Sequence, residues 1–166
     1  MNKPDFVLDI FLQPGDFYFG DRDTRIRTLL GSCVSITMWH PQLLVGGMCH
    51  YMLPGTRVSR RDKALDGRYA DDVMHLFLDE INKIGAKPGA FEVKMFGGGN
   101  QFPDRTANMN AISVPDRNIE AGHALLKQHG FTLKATHLGG TGHRNLMFDV
   151  WSGYAWMKHV PVGSSS

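Results

Sequence analysis

Apolar residues recur along this chain with two different periods. From Arg25 to Leu53 the period is two: Val34, Ile36 and Met38 alternate with Ser35, Thr37 and Trp39, which predicts a strand over residues 34–39, flanked by strands over 25–30 and 44–53. Gly31-Ser32 forms the corner between the first two, and His40-Pro41-Gln42 the turn between the second and third. Near residue 70 the period lengthens to that of a helix. Ala70, Val73, Met74, Phe77, Leu78, Ile81 and Ile84 share one stripe over residues 69–84, Asp71 and Asp72 suit its first turn, and Gly85 stops it. A second helix is predicted over 118–129, with Ile119, Gly122, Leu125 and Leu126 inward and Gly130 beyond its end. Strands are expected at 91–96 and 131–137, followed by a hairpin of 146–151 with 154–160 through Ser152-Gly153.

These elements define the expected fold class, a layered α/β (α+β) domain of mainly antiparallel strands packed with two or three helices. No repeat or Pro/Gly/Ser-rich linker divides the chain, so one domain is expected over residues 1–160, with a flexible tail over 161–166. Of the 166 residues, 42% are hydrophobic and 20% charged, enough for a core. A net charge of +2 is too small and dispersed for a nucleic-acid surface. The apolar stretch 6–12 is short, is broken by Asp9 and lacks a basic leader, and nothing approaches the roughly 20 apolar residues of a membrane span. A cytoplasmic protein without membrane insertion is expected, and its two cysteines, Cys33 and Cys49, should be free thiols.

The chemistry concentrates at the corner. If 34–39 and 44–53 pair as an antiparallel hairpin, the start of the first lies opposite the end of the second, which brings Cys33 and His50 together. Alternation puts Met48 and His50 on one face and Cys49 on the other. A thiol with an unperturbed pKa near ~8.5 is mostly protonated at neutral pH, so a nucleophilic Cys33 requires an activator such as His50. Thr28, on the preceding strand, is placed to hold the imidazole tautomer, and the amides around Gly31 and Ser32 are placed to meet an oxyanion. Each residue also has a bland reading: a packed free thiol, a core histidine with one backbone partner, an ordinary strand threonine.

Other motifs carry less. Gly97-Gly98-Gly99-Asn100 lacks the Lys-Ser/Thr of a phosphate loop and reads as a tight turn beside a site. Arg144, after Gly139-Gly140-Thr141-Gly142-His143, either anchors a carboxylate or sits in solvent. Eight histidines show no metal-binding spacing, so no metal and no cofactor are expected. Arg57, Arg60, Arg61 and Lys63 form a basic loop that is solvated or docks an acidic protein.

The blocks Thr28-Leu29-Leu30-Gly31-Ser32-Cys33-Val34, Gly46-Gly47-Met48-Cys49-His50-Tyr51-Met52-Leu53-Pro54 and Tyr69-Ala70-Asp71 resemble the CheD family, chemoreceptor glutamine deamidases of chemotaxis. Fainter echoes are Gly97-Gly98-Gly99 with Phe102, Arg117-Asn118, and Gly139-Gly140 with Arg144. The resemblance implies an α/β layered fold shared with deamidating toxins, a nucleophile at Cys33, a histidine at His50 and a supporting threonine at Thr28. It also implies a chemoreceptor cytoplasmic domain as substrate and a CheC-type phosphatase as a further partner. Rival readings are a non-catalytic adaptor, a cysteine amidohydrolase or transglutaminase of other specificity, and a redox sensor pairing Cys33 with Cys49.

Overall fold

The computed structural model describes residues 2–55, 64–103 and 113–163. Its elements are β1 (Leu8–Leu12), β2 (Phe17–Gly20), β3 (Thr24–Leu30), β4 (Val34–His40), β5 (Val45–Cys49), α1 (Ala70–Lys83), β6 (Glu92–Gly97), α2 (Val114–Gln128), β7 (Leu133–Leu138), β8 (His143–Asp149) and β9 (Ala155–Val160), with a short 3-10 turn at Pro88–Ala90. One sheet has the order β1-β3-β8-β9 and the other β2-β5-β4-β6-β7. The pairs β1–β3 and β6–β7 are parallel, the rest antiparallel. The fold is mixed α/β, as the periodicities imply.

Three layers result because β4 is buried on both faces. Val34, Ile36 and Met38 join Val93 and Met95 against Val73, Met74, Phe77 and Ile81 of α1 and Leu126 of α2. The opposite face of the five-stranded sheet, with Met48 and Phe96, packs against Leu12, Ile26, Leu30, Leu146 and Phe148 of the four-stranded sheet. Alternation in β4 thus separates two cores, helix-side and sheet-side, with Ser35 and Thr37 buried in the second layer boundary.

Several elements differ from the sequence pattern. β1 and β2 are short and lack clean alternation; their existence rests on pairing with β3 and β5. The strand expected over 44–53 ends at Cys49, and beyond it only single bridges persist, Val34 to Tyr51 and Leu53 to Tyr69. α2 begins four residues before Asn118, because Ser113 caps it by accepting from the Asp116 amide and proline is tolerated in a first turn. Ile84, expected on the buried stripe of α1, is its exposed C-cap. Arg57, Arg60, Arg61 and Lys63 lie outside the described residues, as do 164–166 of the expected tail. Within that tail, the Val162 amide donates to Thr141 Oγ1 at 3.0 Å. Among the described residues, no helix is long and apolar enough to cross a membrane.

Candidate active site

The strand β3 alternates buried and outward residues, and Thr28 points inward with Ile26 and Leu30. From there its Oγ1 lies 2.7 Å from His50 Nδ1, across the gap between the sheets. The same hydroxyl donates to the Leu12 carbonyl of β1 at 2.9 Å. A threonine hydroxyl has one proton, so with that proton on Leu12 O it must accept from Nδ1–H. The imidazole is thereby fixed with Nε2 unprotonated and basic.

His50 sits one residue beyond β5, held through its backbone: its amide donates to Asp16 O at 3.2 Å and its carbonyl accepts from Gly15 N at 2.8 Å. Register places it opposite Ser35, one step from the pair Val34–Tyr51 and two from Thr37–Met48. Val34 and Tyr51 exchange both backbone bonds, so Ser35 and His50 form the closer, non-hydrogen-bonded kind of pair. Cys33, two residues before Ser35, projects to the same side and packs half-buried against the sheet-side core that contains Met48. The hairpin therefore brings Cys33 and His50 to one face as diagonal neighbours. Cys49 faces the helix-side core, fully buried, where its sulfur accepts from Ile36 N at 3.2 Å and burial pushes its pKa up to about 12.

The corner is shaped by glycines. Gly98 N donates to Cys33 O at 2.9 Å and Gly99 N to Gly31 O at 3.0 Å, so the run after β6 cradles the corner. Gly97 has φ +114, and a Cβ there would fall 2.4 Å from Cys33 O, which excludes any other residue. The Val34 amide is committed to Tyr51 O, whereas the amides of Ser32 and Cys33 have no hydrogen-bond partner among the described residues.

Burial sets the electrostatics of both groups. It raises the Cys33 thiol above its ordinary value, against a lowering hydrogen bond from the Ser32 side chain. It pushes His50 down to about 4, against the pull of the Asp16 carboxylate. Both shifts disfavour the charged forms, so the resting pair is a neutral thiol and a neutral imidazole. An activator acting on this pair therefore has to accept the thiol proton as the sulfur attacks.

The low His50 value has a stability consequence. The unfolded chain protonates its histidines below about pH 6.5, while native His50 stays neutral until about pH 4, so stability is complete above that window and falls as pH drops through it. The loss has an upper scale of about 3 kcal/mol, and His137, also lowered by burial, acts in the same direction. Thermal melts of the wild type from pH 7 to 4.5 should show this decline, and His50→Gln should flatten it.

Some neighbours were not singled out by sequence reasoning. Asp16, in the turn Gln13-Pro14-Gly15-Asp16, supports the imidazole electrostatically; Ser35 is buried with no hydrogen-bond partner for its Oγ among the described residues; Asn118 reaches the corner from α2. Only Asn118 had a sequence signal, the Arg117-Asn118 echo. Arg144 follows neither reading offered for it. It is 1% exposed, donating from Nε to His137 Nδ1 at 3.0 Å and from Nη2 to Gly139 O at 2.6 Å. Among the described residues no group of three or more His, Cys, Asp or Glu side chains is placed to hold a metal ion.

Fold and site together define a class: a three-layer α/β protein with a cysteine, a tautomer-fixed histidine and a threonine gathered where its two sheets meet. A family model described as CheD chemotactic sensory transduction matches residues 52–159. The chain is 49% identical to the "Probable chemoreceptor glutamine deamidase CheD" of Pseudomonas savastanoi pv. phaseolicola over 98% of its own length and 90% of that protein's. It is 46% identical to the Pseudomonas fluorescens protein of that name, over 98% of this chain and 91% of the other. A Leptospira interrogans relative, "Probable chemoreceptor glutamine deamidase CheD 1", is 39% identical over 94% and 95%. The chain belongs to the CheD family. A looser likeness in shape, with a TM-score of 0.46 and 14% identity, links 74% of this chain to 50% of the Bacillus licheniformis hypothetical protein YfiH.

Proposed function

We propose that this chain is a cytoplasmic protein-glutamine deamidase that hydrolyses glutamine side-chain amides of chemoreceptors to glutamate and releases ammonia. Membership of the CheD family, whose curated relatives carry the name chemoreceptor glutamine deamidase, supports the substrate class. The observation that carries the chemistry is the Thr28 hydroxyl, which gives its proton to Leu12 O and so leaves His50 Nε2 basic on the face that bears Cys33.

In the proposed cycle His50 Nε2 takes the Cys33 proton as the sulfur attacks the amide carbon, and the amides of Ser32 and Cys33, at the Gly31 corner, receive the developing oxyanion. The protonated imidazole then passes its proton to the departing nitrogen, which leaves as ammonia and a thioester. Water, deprotonated by neutral His50, attacks the thioester; the C–S bond breaks, the sulfur regains the proton, and the new carboxylic acid ionises at neutral pH. Each turnover adds one negative charge to the receptor. A CheC-type phosphatase is proposed as a second partner on the family resemblance.

The test is incubation of the purified chain with a receptor cytoplasmic domain, following ammonia release and Gln-to-Glu conversion by peptide mass spectrometry. Conversion by wild type is expected; its absence would favour a non-catalytic adaptor, and incorporation of an added primary amine in place of water would favour a transglutaminase.

Thr28→Val tests the orienting role. Its hydrogen bond to the imidazole becomes charge-assisted when His50 is protonated, on the scale of roughly 1.5–3 kcal/mol. Turnover should fall about tenfold to a hundredfold, and Thr28→Ser should recover most of it. Equal turnover in Thr28→Val and wild type would remove Thr28 from the mechanism.

A further inference from the structure

Asn118 is fully buried in the second turn of α2, and its carboxamide nitrogen donates to two carbonyls on separate segments, Met52 O beyond the end of β5 at 2.9 Å and Ser32 O in the corner before β4 at 3.3 Å. Ser32 immediately precedes Cys33, and Met52 lies two residues beyond His50. Both points are just past the isolated bridge Val34–Tyr51, where the pairing between β4 and the segment that follows β5 and carries His50 has ended. A primary amide has two N–H protons. Both are engaged, which fixes the carboxamide orientation and leaves Oδ1 buried with no hydrogen-bond partner among the described residues.

The helix that delivers this side chain is itself pinned. Tyr51 OH donates to the Asn118 backbone carbonyl at 2.5 Å. One turn later Gly122 leaves room for the tyrosine, since a Cβ there would fall 2.6 Å from that hydroxyl oxygen. Gly98 packs in the same way against Ile119 and the Pro115 carbonyl. α2 thus meets the strand ends at a fixed height, with Asn118 bridging them.

A fully buried carboxamide with an orphaned oxygen is costly, and an apolar residue would avoid that cost. What an apolar residue would not supply is a link between the nucleophile's corner and the end of the imidazole's strand. We propose that Asn118 is a positioning residue that sets the placement of Cys33 relative to His50. The proposal rests on the deamidase reading above. A displacement of about 1 Å between reacting groups can cost about a hundredfold in rate, so loss of this clamp should lower kcat while leaving KM unchanged.

The test compares the whole chain with Asn118→Asp and Asn118→Ser. Aspartate keeps the shape but, when ionised, turns an acceptor towards two carbonyls; when protonated it can donate one hydrogen bond. Asn118→Asp should lose about a hundredfold in kcat at pH 8 with KM unchanged, and its kcat relative to wild type should recover as pH falls. Asn118→Ser, a small residue with one donor, should lose kcat without that recovery. The pH profile of Cys33 alkylation by iodoacetamide should also move in both variants.

Folded variants with wild-type kcat and an unmoved alkylation profile overturn the proposal, as does a fall confined to melting temperature. If Asn118→Asp does not fold, Asn118→Ser carries the same kcat and alkylation measurements. A wild type without turnover overturns the deamidase reading, whereas the alkylation profile still decides whether Asn118 positions Cys33.

Discussion

Cys33→Ala should abolish ammonia release and glutamine conversion while the protein still melts cooperatively. The sulfur is the atom that forms the thioester, and no other thiol on this face can replace it, because Cys49 lies in the helix-side core. The side chain is half-buried and small, so the cost in stability should be about 1 kcal/mol or less. Cys33→Ser should be nearly as inactive, since a hydroxyl in the same position is a weaker nucleophile and leaving group. Residual turnover in Cys33→Ala would place the chemistry elsewhere. The wild-type thiol also carries an electrostatic signature. Burial holds Cys33 above the ordinary thiol range and His50 near 4, so alkylation by iodoacetamide should keep rising beyond pH 8.5 or so. A profile already flat at pH 6 would mean a preformed thiolate–imidazolium pair, contrary to the burial argument.

His50→Gln should lower turnover by about a hundredfold to ten-thousandfold, the usual contribution of general acid–base catalysis. Glutamine is chosen because its amide can still donate to Thr28 Oγ1 and occupies much of the ring's space. Alanine would add a cavity and leave the threonine oxygen unsatisfied. The decisive contrast lies at high pH. There the thiol ionises to solvent without a base, so Cys33 alkylation in His50→Gln should approach the wild-type rate even though turnover does not. Turnover that survives this substitution would reduce His50 to a buried structural histidine.

The redox alternative meets a geometric obstacle. Cys33 and Cys49 project from opposite faces of the five-stranded sheet, into different cores, and Cys49 is fully enclosed. A disulfide needs Cβ atoms about 3.5–4.5 Å apart and facing one another. Joining these two would mean turning a residue through a sheet with helices on one side and strands on the other.

Much of the site was legible because a hairpin converts sequence distance into spatial distance by a simple rule. Once β4 and β5 pair about the turn at residues 41–44, residue numbers in register sum to a constant, and alternation assigns Met48 and His50 to one face and Cys49 to the other. α1 was legible for a similar reason: seven apolar residues at helical spacing with acids at one end and glycine at the other leave few alternatives. Arg144 was not legible. A basic residue in a glycine-rich stretch reads as a surface group, and only the approach of β7 encloses it between His137 and Gly139. β1 was missed because its parallel partner β3 is twelve or more residues away, and nothing local marks that pairing.

The sequence alone determined the local periods, the sharp corner at Gly31-Ser32, and the shared face of Met48 and His50 with Cys49 on the other, since these depend on strand geometry and on which residues tolerate tight turns. Tertiary structure decided what the side chains meet. Thr28 reaches His50 because two sheets stack face to face, and the proton of its hydroxyl is oriented by Leu12 on a third strand. The neutral resting state of the thiol and imidazole comes from burial by both layers. Asn118 touches the corner because a helix from far along the chain packs across the strand ends. Periodicity records which side of an element is dry; which elements share that dry space is settled only when the whole chain closes around it.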